Sequence, residues 1–301
     1  MQSMTRINTG CVCVLASLAL LIGCQLDSSP QTTNAQAAPS PTTAVRPMVK
    51  VDKFGDAVVK TTESRRNFIA RELSRTPEHL WAGHYYAGDG LAMNQRLTAA
   101  PISGFAFTWH GNLGLYDHNH GDIHIVGDRL FLLPELQTDS RVGGELPREL
   151  YPVTWGSRMY LIAKTELDDF VNAVNLGREP RRQLHGLFLL RGDDYTKVAQ
   201  GQPRLPGTHL KKLLAEEITG NITAVFAPES DDSDAWTVEI NLGQQAGVWR
   251  GMELCLADST YTITVTKVSD HTSEATYSMT PIASVLPEVG MAVRSRFPFA
   301  K

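Results

Sequence analysis

Four histidines stand between positions 110 and 124, namely His110, His118, His120 and His124, with Asp117 and Asp122 among them. In an extended strand, side chains two apart share a side, so His118 and His120 would present their imidazoles together. Asp122 and His124 would continue the row if the strand runs unbroken. Imidazole suits zinc, copper or nickel, and a carboxylate can complete such a site. Gly121 works against this geometry, because a glycine between the histidines marks a turn or a bulge. The candidate metal ligands are therefore His118, His120 and His124, with His110 as a further member. The competing reading is a polar hairpin facing solvent.

Other chemistry is less complete. Carboxylates gather at Glu166, Asp168 and Asp169, at Asp193 and Asp194, at Glu216 and Glu217, and at Glu229 with Asp231, Asp232 and Asp234. The last group lacks the glycine and the terminal Glu of an EF-hand, which favours a solvated loop over a calcium site. Gly88-Asp89-Gly90 lacks both the serine of an esterase motif and the third glycine of a dinucleotide fingerprint. No Gly-x-Ser-x-Gly elbow occurs, and no phosphate-cradling glycine loop followed by Lys and Ser or Thr. The chain does not read as an enzyme, and no cofactor is expected. Arg191-Gly192-Asp193 reads as turn chemistry rather than an adhesion ligand. Seven large rings, Trp81, Tyr85, Tyr86, Phe105, Phe107, Trp109 and Tyr116, either fill a core or line a pocket for an apolar or carbohydrate ligand.

The N-terminal stretch carries Arg6 in a short polar lead, then a run from Cys11 to Ile22 that is apolar apart from Ser17. As a helix that run spans about 18 Å, short of the roughly 30 Å hydrocarbon core, so it reads as a signal segment rather than a membrane span. Its end, Leu21-Ile22-Gly23-Cys24, resembles the lipobox of bacterial lipoproteins. The resemblance implies cleavage before Cys24, lipidation of its thiol and a membrane as partner through that lipid. Each buried methylene contributes about 0.8 kcal/mol, so several acyl chains hold a protein where one would not. Gln25, where an inner-membrane retention signal would have Asp, points to the outer membrane facing the periplasm. Cys11 and Cys13 leave with the signal, so Cys255 is the remaining thiol and no intrachain disulfide is possible in the mature chain. Within 252–256 it reads as a small buried hydrophobe.

Behind the signal (1–23), residues 24–50 are rich in Ser, Thr, Pro, Ala and Gln and read as a disordered tether that cannot offset its own ordering entropy. A formal charge of −4 gives no electrostatic case for nucleic acid. A first domain is expected over 63–215. It opens with an amphipathic helix over 63–75 bearing Arg65, Arg66, Arg71 and Arg75. Strands follow around 95–98, 105–109, 122–126 and 131–133 as an antiparallel meander. Residues 153–162 read as one strand and 164–175 as a helix capped by Thr165, with Leu167, Phe170, Val171 and Val174 as its apolar stripe. A second domain over 217–301 shows six strand-like segments, at 218–225, 236–242, 252–256, 261–268, 274–279 and 291–296, and is expected to be a small β-barrel.

Two further resemblances apply. The segments 85–94 and 107–117 are similar to a group of uncharacterised bacterial envelope proteins, which implies one folded unit and no particular activity. Gly243, Gly247, Val248 and Gly251, then Val265 to Val268, then Pro287 and Gly290, resemble a β-module recurring in bacterial envelope and scaffold proteins. That resemblance implies an interaction surface without catalysis. The expected fold is thus α+β and β-rich, an antiparallel meander with flanking helices followed by a small C-terminal barrel. The expected function is a lipid-anchored cell-envelope protein with a non-catalytic binding or scaffolding role towards a protein, glycan or lipid. A metal-binding protein using the histidines and a carrier of an apolar ligand in an aromatic-lined barrel stand as alternatives.

Overall fold

The computed structural model describes residues 54–76, 79–88, 93–136, 146–178, 180, 188–194, 196–228, 235–256, 259, 261–278 and 286–296. The signal, Cys24, the whole of the tether and the acidic loop at 229–234 lie outside them. Among the described residues no helix is long and apolar enough to cross a membrane.

The fold is β-rich, with antiparallel sheets that close into barrels and a few helices outside them. The expected meander is more than an open sheet. Strands β1 (Gly83–Gly88), β2 (Met93–Ala100), β3 (Gly104–Gly111), β4 (Gly114–Val126), β5 (Arg129–Pro134), β6 (Glu149–Trp155), β7 (Arg158–Ala163) and β8 (Leu189–Arg191) follow one another around an up-and-down barrel. It is closed where Tyr85 and Tyr86 of β1 pair with Arg191 and Leu190 of β8. Closure removes the exposed strand edges that would otherwise recruit other chains. Alternate residues point inward, so Leu97, Phe107 and Asn119 lie side by side across β2, β3 and β4.

Two local expectations are corrected. Gly121 does not break its strand; it sits inside β4 opposite Phe105 and Pro134. A Cβ there would lie 2.0 Å from the Leu133 carbonyl oxygen, so glycine serves a close approach of strands rather than a turn. The irregularity falls instead between Trp109 and His110. The single strand expected over 153–162 is two strands, β6 and β7, joined at Gly156, whose φ of +60° is the left-handed region that glycine enters without strain.

Two helices cover the outside of this barrel. Helix α1 (Asp56–Arg75) lies over β2, β3 and β4 and begins seven residues before the expected start at 63. Its docking face is largely polar, so its first two turns carry little apolar periodicity to announce them. Ile69 is its fully buried apolar contact, packed on Ala100 and Ala106. Helix α2 (Leu167–Asn175) packs Leu167, Phe170 and Val171 against Tyr160, Ile162 and Leu190. Thr165 does not cap it: Lys164–Glu166 form a 3-10 turn, and Glu166 occupies the N-cap position without a side-chain capping bond.

The six C-terminal strands form the small barrel that was expected. They are β9 (Thr219–Phe226), β10 (Ala235–Ile240), β11 (Glu253–Leu256), β12 (Thr262–Val268), β13 (Ser273–Ser278) and β14 (Ala292–Arg294), in the order β10-β13-β12-β11-β14-β9 with β9 closing on β10. Val238, Ile240, Leu254, Ile263 and Val293 fill its centre. Gly247 and Gly251, at φ +85° and +92°, shape the approach to β11. Cys255 is fully buried, and that burial pushes its thiol up to about 12, so it acts as a small hydrophobe.

Asn172 on α2 joins the two barrels. It is buried, donates to the Gly251 carbonyl at 2.9 Å and accepts the Glu253 N–H at 3.0 Å. Replacing it with Ala strands both backbone groups, and a loss of about 2 kcal/mol is expected. Urea unfolding measures it, and an unchanged midpoint would mean the junction is held by other contacts.

Candidate functional site

The unbroken β4 does place His118, His120, Asp122 and His124 on one outer face. The face then runs out from under α1. His118 and His120 are 0% and 3% exposed beneath the helix, whereas Asp122 and His124 are exposed beyond it. Two residues of strand advance about 7 Å, which sets His124 roughly 13 Å from His120 along the chain. His110 is exposed at the far side of the β3 irregularity. Among the described residues no three His, Cys, Asp or Glu side chains gather as a metal site. The expected ligand set of His118, His120 and His124 is therefore not assembled.

What holds the buried pair is Thr62 of α1, itself 1% exposed. Its Oγ1 lies 3.0 Å from His118 Nδ1 and 2.9 Å from His120 Nδ1. A hydroxyl can donate once and still accept. His120 Nε2 lies 3.5 Å from Glu135 Oε2, so with the proton on Nε2 the Nδ1 of His120 accepts from Thr62. His118 Nδ1–H then donates to the same oxygen. The Val58 carbonyl, at 3.4 Å, is a poorer acceptor for the Thr62 hydroxyl. Burial holds His120 below the usual histidine range; Glu135 raises it, while Arg65 and His118 lower it further. Arg65 bonds Glu135 at 2.6 Å and the Ser103 carbonyl at 3.2 Å, and Arg66 reaches Thr98 and Thr108, each at 3.2 Å.

Thr62, His120 and Glu135 have the residue types of a nucleophile, base and acid relay. The hydroxyl is buried and shared with a second imidazole, so it is closed to substrate. The cluster works as a polar latch that seats α1 on the barrel.

A different feature is open. At the end of the first barrel where β7 finishes, a recess of about 430 Å³ has a floor of Leu146, Leu150, Ala163 and Leu189 and a rim of Gln95, Arg148, Glu149, Lys164, Thr165 and Glu166. Glu149 is tied down: Arg129 donates to it at 3.0 Å, Tyr151 at 3.0 Å and Lys164 at 3.1 Å. Burial would raise its pKa, but these three bonds together hold the carboxyl below the usual range. Glu166 differs. Its bond is to the Ala163 backbone N–H, and burial, with Asp169 nearby, raises its pKa to about 7. The sequence groups Glu166 with Asp168 and Asp169, yet Asp168 instead faces Lys212 at 2.5 Å and His209 at 3.4 Å. The recess is assembled from four separated segments, and no local pattern in the chain announces it.

The aromatic residues divide. Trp81, Tyr85, Phe105, Phe107 and Trp109 belong to one buried cluster with Leu97 and Leu132, and Tyr116 meets Trp109 edge-on at 5.6 Å. Tyr86 is half-buried and donates to Asn94. These rings build core. The Arg191-Gly192-Asp193 turn is likewise structural, since Arg191 is bound to fully buried Asp194 at 3.1 Å, and Asp194 also accepts the Met159 N–H at 2.8 Å. No protein-family model, no curated protein and no solved structure matches this chain.

Proposed function

We propose that this chain is a lipid-anchored protein of the bacterial cell envelope that binds a ligand or partner without transforming it. Cys24 is the anchor in this reading, and the mouth of the first barrel is the binding face. The observation that carries it is the recess, which combines an apolar floor with a rim already fixed by the Glu149, Arg129 and Lys164 bonds. A rim held in place before binding loses little freedom when a ligand enters. Helix α2, which Glu166 precedes, is itself bonded to the second barrel through Asn172. The buried position of the Thr62 hydroxyl supports a non-catalytic role.

Cells expressing the chain and fed radiolabelled palmitate are expected to label the wild type and leave Cys24→Ser unlabelled. An unlabelled wild type, or a mature protein that retains residues before Cys24, would remove the anchor. A photocrosslinking residue at Gln95, on the rim, is expected to capture a ligand or partner in intact membranes. One at exposed Val198 is expected to stay empty, and equal capture at both positions would argue against the recess.

A further inference from the structure

Among the described residues, one acidic group on the rim has no cation within ion-pair distance. Glu149 is engaged by Arg129, Lys164 and Tyr151, so Lys164, which lines the recess, is already paired. Glu166 has the Ala163 N–H alone, and among the described residues no Lys, Arg or His lies within ion-pair distance of it. Arg148 lines the same recess. On α2, Asp169 adds negative potential, and Asp168 is occupied by Lys212.

Beside this carboxyl lie Leu146, Leu150, Ala163 and Leu189. A carboxylate at the edge of an apolar wall is complementary to a molecule with a positive head and a hydrocarbon body. An anionic ligand would meet the repulsion of Glu166 and Glu149 against the rim cations Lys164 and Arg148, of which Lys164 is already bound to Glu149. A neutral apolar ligand would leave Glu166 as it stands, desolvated and unanswered. We infer that the recess binds a small organic ammonium ion, with its nitrogen against Glu166 and its apolar part over Leu146, Leu150 and Leu189. The recess volume of about 430 Å³ is within the size that holds a small molecule. This assignment rests on the mouth of the barrel being the binding face.

Because burial keeps Glu166 partly protonated near neutral pH, an arriving ammonium must select the ionised form, and binding releases a proton. Affinity for the cation therefore rises with pH through the ionisation of Glu166. Calorimetric titration of the purified protein with hexylamine hydrochloride, sodium hexanoate and hexanol, at about pH 8 and about pH 5.5, tests this. Hexylammonium is expected to bind tightest at the higher pH and to lose at least about tenfold in affinity at the lower one. Glu166→Gln keeps the shape and is expected to abolish the preference for the amine over hexanol. Tighter binding of hexanoate or hexanol, or an unchanged amine affinity in Glu166→Gln, overturns the ammonium assignment and leaves the recess as a binding face. If none of the three binds, the assignment and the recess fall together. Circular dichroism of Glu166→Gln checks that the variant is folded.

Discussion

Glu166→Gln is expected to make the protein more stable at about pH 8, by roughly 2–3 kcal/mol, and to change little at about pH 4. The sign follows from the direction of the shift. In the fold this carboxyl ionises near pH 7 instead of 4.5, so between those values the folded state holds a proton that the unfolded chain has released. Stability from this group is complete below the unfolded value and is lost as pH rises through the folded one. The full shift converts to about 3 kcal/mol, and some is given back because the side chain keeps partial contact with solvent. A glutamine has nothing to ionise and escapes the loss. Urea unfolding at both pH values measures it. Parallel pH dependences in wild type and variant would show that the Glu166 charge is well solvated, and the electrostatic argument for an ammonium ligand would lose its basis. A carboxyl kept at a cost to the fold, in a recess, is what a binding site looks like before its ligand arrives.

The reach of the sequence differed between the barrels for physical reasons. In the second, six strand-like segments gave six strands with ends close to those expected, and the glycines at 247 and 251 prove to be positive-φ turns before β11. In the first, the meander was legible but its closure was not. β8 has three residues, and its pairing with β1 spans about a hundred positions of chain. Gly121 and Gly156 show why one residue type misleads: the first lets strands approach closely, while the second makes a tight turn. The shared face of His118 and His120 was legible from period two. Their cover was not, because the helix was legible only from 63 on, and the contact over the imidazoles is made by polar groups, Thr62 just before that start with Arg65 and Arg66 beside it. The character of Glu166 comes from burial, which only the assembled walls create.

The latch under α1 gives the other large effect. Thr62→Val keeps the side-chain shape and removes the hydroxyl, leaving Nδ1 of His118 and of His120 facing a methyl group in a buried site. Each stranded group costs about 1–3 kcal/mol, so a total loss of roughly 3 kcal/mol is expected. Thr62→Ser keeps the hydroxyl, deletes one methyl and is expected to lose only about 1 kcal/mol. Acid should act on the same contact. The folded His120 has a lowered pKa, so as pH falls below about 6.5 the unfolded chain binds its proton first and stability declines until the folded group also titrates. Once His120 is protonated its Nδ1 becomes a donor, and the single Thr62 oxygen must accept from both rings while Arg65 and Arg66 stand close by. Protection of the α1 amides, read as hydrogen exchange corrected for the intrinsic rate at each pH, should therefore fall in the wild type between about pH 7 and pH 5, and should already be low at pH 7 in Thr62→Val. If the valine variant matches the serine variant in stability, the helix is held by Ile69 and the arginines, and Thr62 is incidental to its docking.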